Sequence, residues 1–230
     1  MPTELRRKDV KSLIHQGRAQ LVEVLDAREY KREHLPKAIN IPLSQLNSET
    51  AQVLRRDQAI IVYCADYSCD LSARAAWRLE SMGYQEVYRY TAGKADWLGA
   101  GFETEGTEAN KPRLKQLLKR VVLTCGPKDK LGTIKNRRPQ ASDICVVLND
   151  RSVVLGLIHG PIWDEDPLKT AAQIMDSAPR TFRPSSDPGE VMKDMRKAEL
   201  ENALVTTSDG ELLGFIQRRE KKIQKTGKAA

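Results

Sequence analysis

One apolar stretch, Ala59–Tyr63, ends at a cysteine and is followed at once by a helical pattern. Its residues are mostly β-branched and show no polar alternation, which is typical of a parallel strand covered on both faces. Apolar residues then recur at helical spacing before a glycine, so the sequence predicts a helix over 72–82 with Asp70 or Ser72 as its N-cap. Cys64 is therefore predicted to lie between a strand end and a helix N-terminus.

This position has consequences for the thiol of Cys64. The first amides of a helix are unpaired and the helix dipole is positive there, which stabilises a thiolate and attracts an anionic substrate. A thiol in such a setting is expected to have a pKa lowered from about 8.5 toward neutrality. The alternative is that Cys64 is a small core residue at the end of an apolar strand.

Length and composition limit the class of protein. A chain of 230 residues, 40% hydrophobic and 30% charged, is predicted to form two domains with ordinary cores. No apolar run approaches the roughly 18 residues of a membrane span, and no signal-peptide core follows the N-terminus, so a cytoplasmic location is expected. Much of the net charge of +7 lies in 218–228. That segment has no interleaved aromatic residues, so it is interpreted as a solvated end and nucleic-acid binding is not expected.

The cysteines and histidines do not suggest a disulfide framework or a metal site. The chain has four cysteines and three histidines, and they are scattered. A reducing compartment would keep most of these cysteines as thiols. Zinc sites need paired ligands at short spacing, and no such pairs occur.

Strand and helix patterns alternate through the first half. An amphipathic helix is predicted over 5–14, followed by strands over 19–25, 59–63 and 86–90 with helical segments between them. This order predicts an α/β domain with a mostly parallel sheet and helices on both faces.

Four motifs in the first 108 residues resemble, in this order, those of the rhodanese (sulfurtransferase) family: Leu25–Arg28, His34–Pro42, Ile61–Cys64 and Tyr90–Trp97. The resemblance implies that Cys64 carries a persulfide during sulfur transfer of the thiosulfate sulfurtransferase type. It implies a small-molecule sulfur donor, a thiol acceptor and no required cofactor or metal. The active-site loop is then the segment after the cysteine: Ala65, Asp66, Tyr67, Ser68, Cys69 and Asp70.

The loop departs from the family in its charges. Rhodanese loops usually place glycine and arginine shortly after the cysteine, whereas this loop has Asp66 and Asp70. Two carboxylates near the thiol oppose an anionic donor and raise the thiol pKa. They also disfavour a phosphatase-like or arsenate-reductase-like enzyme, which needs an anion-binding loop with an arginine.

Cys69 leaves two interpretations open. It is placed to resolve a persulfide or sulfenate on Cys64 by forming a disulfide, or it packs under the helix. The first interpretation supports an alternative function, a non-enzymatic redox or persulfide sensor that uses Cys64 and Cys69.

A boundary between two domains is predicted near the middle of the chain. Residues 103–113 are polar and contain glycine and proline, which is typical of a linker. The predicted organisation is a rhodanese-like domain over 1–108, a linker over 109–114, a second domain over 115–225 and a tail over 226–230.

The second half contains an internal repeat. Shifted by about 58 positions, Ile144–Leu148 falls on Asn202–Thr206, and Leu155–Ile158 falls on Leu213–Ile216. Each copy predicts an entry strand, a helix and a hairpin of two strands, with Ser208-Asp209-Gly210 as the second hairpin turn.

This pattern resembles a pair of cystathionine-β-synthase-type (CBS) domains, a Bateman module. Repeat one is predicted over about 115–165 and repeat two over about 166–225. The resemblance implies a tandem α+β pair that forms a homodimer. It also implies AMP, ATP or S-adenosylmethionine as a regulatory ligand between the repeats. The alternative is a structural or dimerising pair with no ligand.

The ligand positions of the CBS family differ between the two copies. The family places a threonine or serine just after the glycine-led strand and an aspartate three residues later. These positions are His159 and Ile162 in the first copy, and Gln217 and Glu220 in the second. The second copy therefore keeps a carboxylate, and the resemblance implies nucleotide-binding residues Thr181, Gln217 and Glu220.

Overall fold

The structure is a computed structural model that describes residues 2–139 and 142–218. The chain divides into two compact units, one ending at Lys111 and the other beginning at Pro112. The predicted tail lies outside the described residues.

The first unit contains a five-stranded sheet flanked by helices. Its strands are β1 (Thr3–Glu4), β2 (Ala19–Glu23), β3 (Ile39–Asn40), β4 (Ala59–Tyr63) and β5 (Val87–Tyr90). Its helices are α1 (Arg7–His15), α2 (Ala27–Arg32), α3 (Leu71–Ser81) and α4 (Gly93–Gly99), with 3₁₀ helices at Leu43–Gln45 and Thr50–Val53. The strand order is β1-β5-β4-β2-β3, and every neighbouring pair is parallel. The predicted parallel sheet is confirmed.

Two details of the first unit differ from the sequence expectations. The segment before α1 forms strand β1 beside β5, a two-residue strand too short to show a periodic pattern. The region 43–54 lies between two predicted strands, where a helical segment is expected, and it forms two short 3₁₀ helices and no α-helix.

Strand β4 is buried along its whole length, and its alternate residues enter two cores. Ile60, Val62 and Cys64 pack with the apolar face of α3. Ile61 and Tyr63 point to the opposite face of the sheet, toward α1 and α4. A strand covered on both faces needs apolar residues at every position, which explains its unbroken apolar sequence. Cys64 thereby lies on the α3 side of the sheet.

The second unit consists of two three-stranded sheets. Its strands are β6 (Leu123–Cys125), β7 (Ile144–Leu148), β8 (Val154–His159), β9 (Thr181–Phe182), β10 (Asn202–Thr206) and β11 (Leu212–Gln217). Its helices are α5 (Leu131–Arg137), α6 (Ala171–Ile174) and α7 (Pro188–Lys197), with 3₁₀ helices at Leu114–Leu117 and Gly160–Asp164.

The two sheets repeat one topology. In each, a short entry strand is parallel to the central strand, which is antiparallel to the last strand. The hairpin register shifts at Val147/Leu148 in one copy and at Val205/Thr206 in the other, positions related by the sequence repeat. The second unit therefore has the tandem α+β fold expected of a CBS-domain pair.

The packing crosses the boundary of the sequence repeat. Leu114, at the end of the predicted linker and directly before repeat one, is buried in the core of the second copy. Ala171, which belongs to repeat two in the sequence, is buried in the core of the first copy. Two isolated bridges show the same exchange, Lys119 with Phe215 and Leu157 with Asp176. Each copy therefore needs the segment that precedes the other copy to complete its core.

Within the described ranges, none of the helices is both long and apolar enough to cross a membrane.

Candidate active site

The Cys64 sulfur lies at the carboxyl end of β4, against the N-terminus of α3. The thiol donates a hydrogen bond to the carbonyl oxygen of Cys69 at 3.3 Å and lies 3.4 Å from the Ser72 hydroxyl. Cys64 and Ser72 are both fully buried. The structure thus places the cysteine between a strand end and a helix N-terminus, with its sulfur enclosed by protein.

The pKa of Cys64 departs from the sequence expectation. Burial raises the pKa of Cys64 to about 11, and the neighbouring Cys69 acts in the same direction. The hydroxyl and the backbone amide of Ser72 lower it but do not outweigh burial. The expectation of a pKa near neutrality is therefore wrong for this conformation, because desolvation penalises the thiolate more than the helix end stabilises it.

The six loop residues after Cys64 take different positions. Asp66 accepts hydrogen bonds from the amide and hydroxyl of Ser68, at 2.9 and 2.6 Å, and these bonds lower the pKa of its carboxyl. The Asp66 carboxylate therefore organises the turn. It does not contribute to the raised pKa of Cys64. Ala65 and Cys69 are half-buried, whereas Tyr67 and Asp70 are exposed.

Some backbone donors of the loop are unused. Among the residues that the structure describes, the amides of Asp66 and Tyr67 donate to no protein acceptor. Asp70 occupies the N-cap position of α3, but its side chain does not cap the helix and lies 3.9 Å from Arg74. Unpaired amides next to a helix N-terminus are suited to an anion.

A glycine and a lysine at the start of α4 hold the backbone at Cys64. The amide of Lys94 donates to the carbonyl of Cys64 at 3.0 Å, and the amide of Ala95 donates to Ala65 at 2.9 Å. Gly93 has a φ of +60°, and a Cβ there would lie 2.6 Å from the Cys64 carbonyl oxygen. Only glycine therefore fits at position 93 without displacing the strand end.

The Lys94 side chain forms a buried ion pair near the backbone of Cys64. Its Nζ lies 2.7 Å from Oε1 of Glu23, a residue of β2 that is fully buried. Among the described residues, the second carboxylate oxygen, Oε2, is buried without a hydrogen-bond partner. The pair links α4 to the centre of the sheet; Lys94 belongs to the Tyr90–Trp97 motif, whereas Glu23 lies in none of the four motifs.

The described residues of the second unit line at least two cavities. The smaller, of about 450 Å³, is lined by Gln217 together with Lys119, Arg196 and Arg218 over an apolar wall. The Lys119 ammonium donates to the Gln217 side chain at 2.6 Å.

The larger cavity, of about 540 Å³, contains His159 at the position that corresponds to Gln217. Thr181 pairs with β10 and lines neither cavity. Glu220 lies outside the described residues. Over the described ranges, no group of three or more His, Cys, Asp or Glu residues is placed to hold a metal ion.

Sequence reasoning missed two features of these sites. Ser72 appears in the sequence only as an N-cap candidate, whereas its hydroxyl and amide face the Cys64 sulfur. Cys125 and Cys145 are scattered in the sequence, but they lie on neighbouring strands. The two strands are parallel neighbours, and predicting that pairing from the sequence would have placed these cysteines near each other.

Comparison with known proteins identifies the first unit. Residues 6–100 match the family model of the rhodanese-like domain. This part of the chain is a rhodanese-like domain. Cys64 and the two acidic loop residues, Asp66 and Asp70, belong to this domain.

Similar proteins include two curated relatives and one solved structure. The chain is 33% identical over 101 residues to the HTH-type transcriptional regulator Rv0324 of Mycobacterium tuberculosis, covering 44% of this chain and 41% of the relative. It is 23% identical over 79 residues to the sulfur carrier-like protein YrkF of Bacillus subtilis, covering 34% of this chain and 41% of the relative. It is also similar to the CBS domains of a transcriptional regulator from Streptococcus pneumoniae, at 22% identity and a TM-score of 0.43, covering 48% of this chain and 96% of that one. The chain thus spans less than half the length of these two curated relatives.

Proposed function

We propose that the rhodanese-like domain carries sulfane sulfur as a persulfide on Cys64 and acts as a sulfurtransferase. The family match and the similarity to a sulfur carrier-like protein support a sulfur-related function. The observation that carries the proposal is the position of the Cys64 sulfur at the N-terminus of α3, facing the hydroxyl and amide of Ser72. These donors stabilise a negative sulfur once it is present.

The proposed reaction has two nucleophilic steps. The Cys64 thiolate attacks the outer sulfur of thiosulfate, the sulfur–sulfur bond of the donor breaks, and sulfite leaves with its electron pair. Cys64 then bears a persulfide anion, which the unused amides of Asp66 and Tyr67 are suited to bind. An acceptor thiolate attacks the outer sulfur and releases Cys64 as a thiolate, so atoms and charge balance over the cycle.

Burial of Cys64 makes thiosulfate a weak donor in this proposal. The thiol is protonated at neutral pH because its pKa is about 11. The sulfur has no solvent exposure, so the loop over 65–70 has to open before a donor can reach it. A donor that opens the loop by binding to it is therefore expected to react faster than free thiosulfate.

Intact-mass spectrometry of the full chain tests the proposal. Purified protein is incubated with thiosulfate or with a polysulfide, and Cys64→Ser and Cys69→Ser are compared with wild type. A gain of one sulfur atom that requires Cys64 and survives in Cys69→Ser supports the sulfur carrier. A sulfur gain that persists in Cys64→Ser contradicts it.

The redox sensor is a second candidate, favoured by the proximity of Cys69, whose carbonyl oxygen lies 3.3 Å from the Cys64 sulfur. The same experiment separates the two functions. A loss of two hydrogens that requires both cysteines, with no sulfur gained, supports a sensor without turnover.

The second unit is proposed to bind an adenine nucleotide or S-adenosylmethionine and to hold a homodimer in the cytoplasm. The cavity at Gln217 supports an anionic ligand, since Lys119, Arg196 and Arg218 line it without a carboxylate among its described residues. The larger cavity contains two arginines and five acidic residues, among them Asp164. Phosphate groups are therefore expected to prefer the Gln217 cavity.

Calorimetric titration with AMP, ATP and S-adenosylmethionine tests this part. Arg196→Ala, in the smaller cavity, is expected to weaken AMP binding by about tenfold or more. Arg180→Ala is the matched control in the larger cavity and is expected to leave the affinity unchanged. Equal losses in both variants, or no binding of any of the three ligands, would contradict the assignment. Sedimentation velocity measures the predicted dimer directly.

A further inference from the structure

A buried hydroxyl at the carboxyl end of the parallel sheet has no hydrogen-bond partner. Thr91 directly follows β5, and its Oγ1 is buried and unpaired among the described residues. Burial of an unpaired hydroxyl costs free energy, and most buried polar side-chain atoms in folded proteins are paired. Valine has nearly the same shape as threonine and lacks the hydroxyl, so packing alone does not explain a threonine here.

The sheet places Thr91 next to Cys64. β4 and β5 are parallel, and their last paired residues are Tyr63 and Tyr90. One step further along both strands, Cys64 lies opposite Thr91, and neighbouring strands are about 4.8 Å apart. The chain after Thr91 stays close to Cys64, because the amide of Lys94 donates to the Cys64 carbonyl at 3.0 Å. Thr91 and Cys64 are therefore neighbours at this edge of the sheet.

The Thr91 side chain points to the same face of the sheet as Cys64. Tyr90 and Ala92, on either side of Thr91, both pack in the core toward α1 and α4. Successive side chains of an extended chain point to opposite faces, so Thr91 points to the α3 side. Cys64 belongs to the core on that side. The unpaired hydroxyl and the candidate nucleophile thus share one face and one edge of the sheet.

The resting thiol does not use this hydroxyl. The Cys64 sulfur has the carbonyl of Cys69 and the hydroxyl of Ser72 as neighbours, at 3.3 and 3.4 Å. A second sulfur bound to Cys64 extends about 2 Å beyond the first. The outer sulfur of a persulfide anion is charged, and hydrogen bonds to charged acceptors are the stronger class. The Thr91 hydroxyl is therefore available to a group that exists only after sulfur has been loaded.

We propose that the Thr91 hydroxyl donates a hydrogen bond to the outer sulfur of the Cys64 persulfide, which makes Thr91 a catalytic residue of this site. The proposal rests on the proposed function, since it requires sulfane sulfur on Cys64. A β-branched side chain has few rotamers, so the hydroxyl is oriented before sulfur arrives. The bond stabilises the loaded form and leaves the empty form unchanged, so it shifts the loading equilibrium toward the persulfide.

The equilibrium with thiosulfate and sulfite measures this effect. The full chain is loaded with a polysulfide, desalted and incubated with thiosulfate and sulfite at varied ratios. Sulfite attacks the outer sulfur, the sulfur–sulfur bond breaks, and Cys64 leaves as a thiolate while thiosulfate forms, so atoms and charge balance. Peptide mass spectrometry after alkylation gives the loaded fraction of Cys64. The same fraction reached from empty protein verifies that equilibrium has been attained.

Thr91→Val is expected to raise the thiosulfate-to-sulfite ratio at half loading by about tenfold or more, because one hydrogen bond to a charged group is lost. Thr91→Ser keeps the hydroxyl and should stay within about threefold of the wild-type ratio. In urea denaturation the midpoint of Thr91→Val should not fall, because the lost hydroxyl has no partner in the empty protein. A lower midpoint, an unchanged ratio in Thr91→Val, or an equal shift in Thr91→Ser would overturn the proposal.

Alkylation of the empty protein separates this role from a packing role. Thr91→Val should react with iodoacetamide at the wild-type rate at pH 8, whereas Ser72→Ala, which removes a hydroxyl beside the resting sulfur, should react more slowly. An equal loss in both variants would contradict the assignment of Thr91 to the loaded form.

Failure of the proposed function gives a different result. Wild-type protein that gains no sulfur on Cys64 from either donor overturns the sulfur carrier, and the role of Thr91 with it. Wild-type protein that is loaded normally, with the same ratio at half loading in Thr91→Val, overturns the role of Thr91 alone.

Discussion

The two thiol pairs of this protein occupy opposite kinds of secondary structure. Cys64 and Cys69 flank a loop that leads into a helix, and a hydroxyl and a helix amide face the Cys64 sulfur. Cys125 and Cys145 lie on two neighbouring parallel strands and are both buried in one core cluster. At a helix N-terminus, unpaired amides can donate hydrogen bonds to a negative sulfur. In the interior of a strand the amides bond to neighbouring strands, so few donors are available to a thiolate. The first pair therefore has hydrogen-bond donors next to its nucleophile, whereas the second pair lies within an apolar core.

The largest effect is expected from removing the buried ion pair between Lys94 and Glu23, which lies near Cys64. Lys94→Met leaves the buried Glu23 carboxylate without its cation and is expected to lower the free energy of unfolding by about 3–5 kcal/mol. Urea denaturation measures the loss. Arg55→Ala is the control, because it removes an exposed ion pair with Asp57 and should cost less than about 1 kcal/mol. Similar costs for the two variants would show that the buried pair is not a structural support.

Gly93→Ala acts directly on the strand end at Cys64. The new Cβ meets the Cys64 carbonyl oxygen, and alanine is also strained at positive φ, so we expect a loss of about 3 kcal/mol in unfolding free energy. Gly17→Ala separates the two causes, since Gly17 has a φ of +66° with nothing within 4 Å of a Cβ. It should cost only about 1 kcal/mol. If Gly17→Ala costs as much as Gly93→Ala, the clash at Cys64 is irrelevant.

The pH dependence of alkylation sharpens the difference between the pairs. The pKa of Cys64 is raised to about 11, so its thiolate fraction and its rate with iodoacetamide should rise about tenfold per pH unit from pH 8 to 10. The pKa of Cys125 is lowered, so its rate should level off at a lower pH. Peptide-resolved mass spectrometry follows both sites in one sample. A Cys64 rate that is constant above pH 7 would mean that its thiol is already ionised.

Ser72→Ala gives the smallest effect expected. Loss of the hydroxyl removes one group that lowers the pKa of Cys64, so the alkylation rate at pH 8 should fall by about three- to tenfold. Ser81→Ala, at the other end of α3, is the control and should leave the rate unchanged. An unchanged rate in Ser72→Ala would assign the hydroxyl a packing role only.

Much of the architecture follows from local pattern. The unbroken apolar run of β4 predicts a strand covered on both faces, and the internal repeat predicts two copies of one topology. Helix positions are also accurate to about one residue at α3, whose apolar residues recur at helical spacing. β1 is too short for a pattern, and the exchange of segments between the two copies depends on contacts that sequence periodicity does not encode.

Local pattern alone predicts that a cysteine ends a buried strand and precedes a helix, because strand and helix periodicities are local properties of the chain. The pKa of that cysteine depends on the folded chain, since burial is the sum of contacts from distant segments and outweighs the effect of the helix end. Only the tertiary structure also brought Cys125 and Cys145 together, because the register of two parallel strands sets which side chains meet. The local sequence pattern is therefore enough to locate the candidate nucleophile. Packing between distant segments sets its pKa and places Cys125 and Cys145 on neighbouring strands.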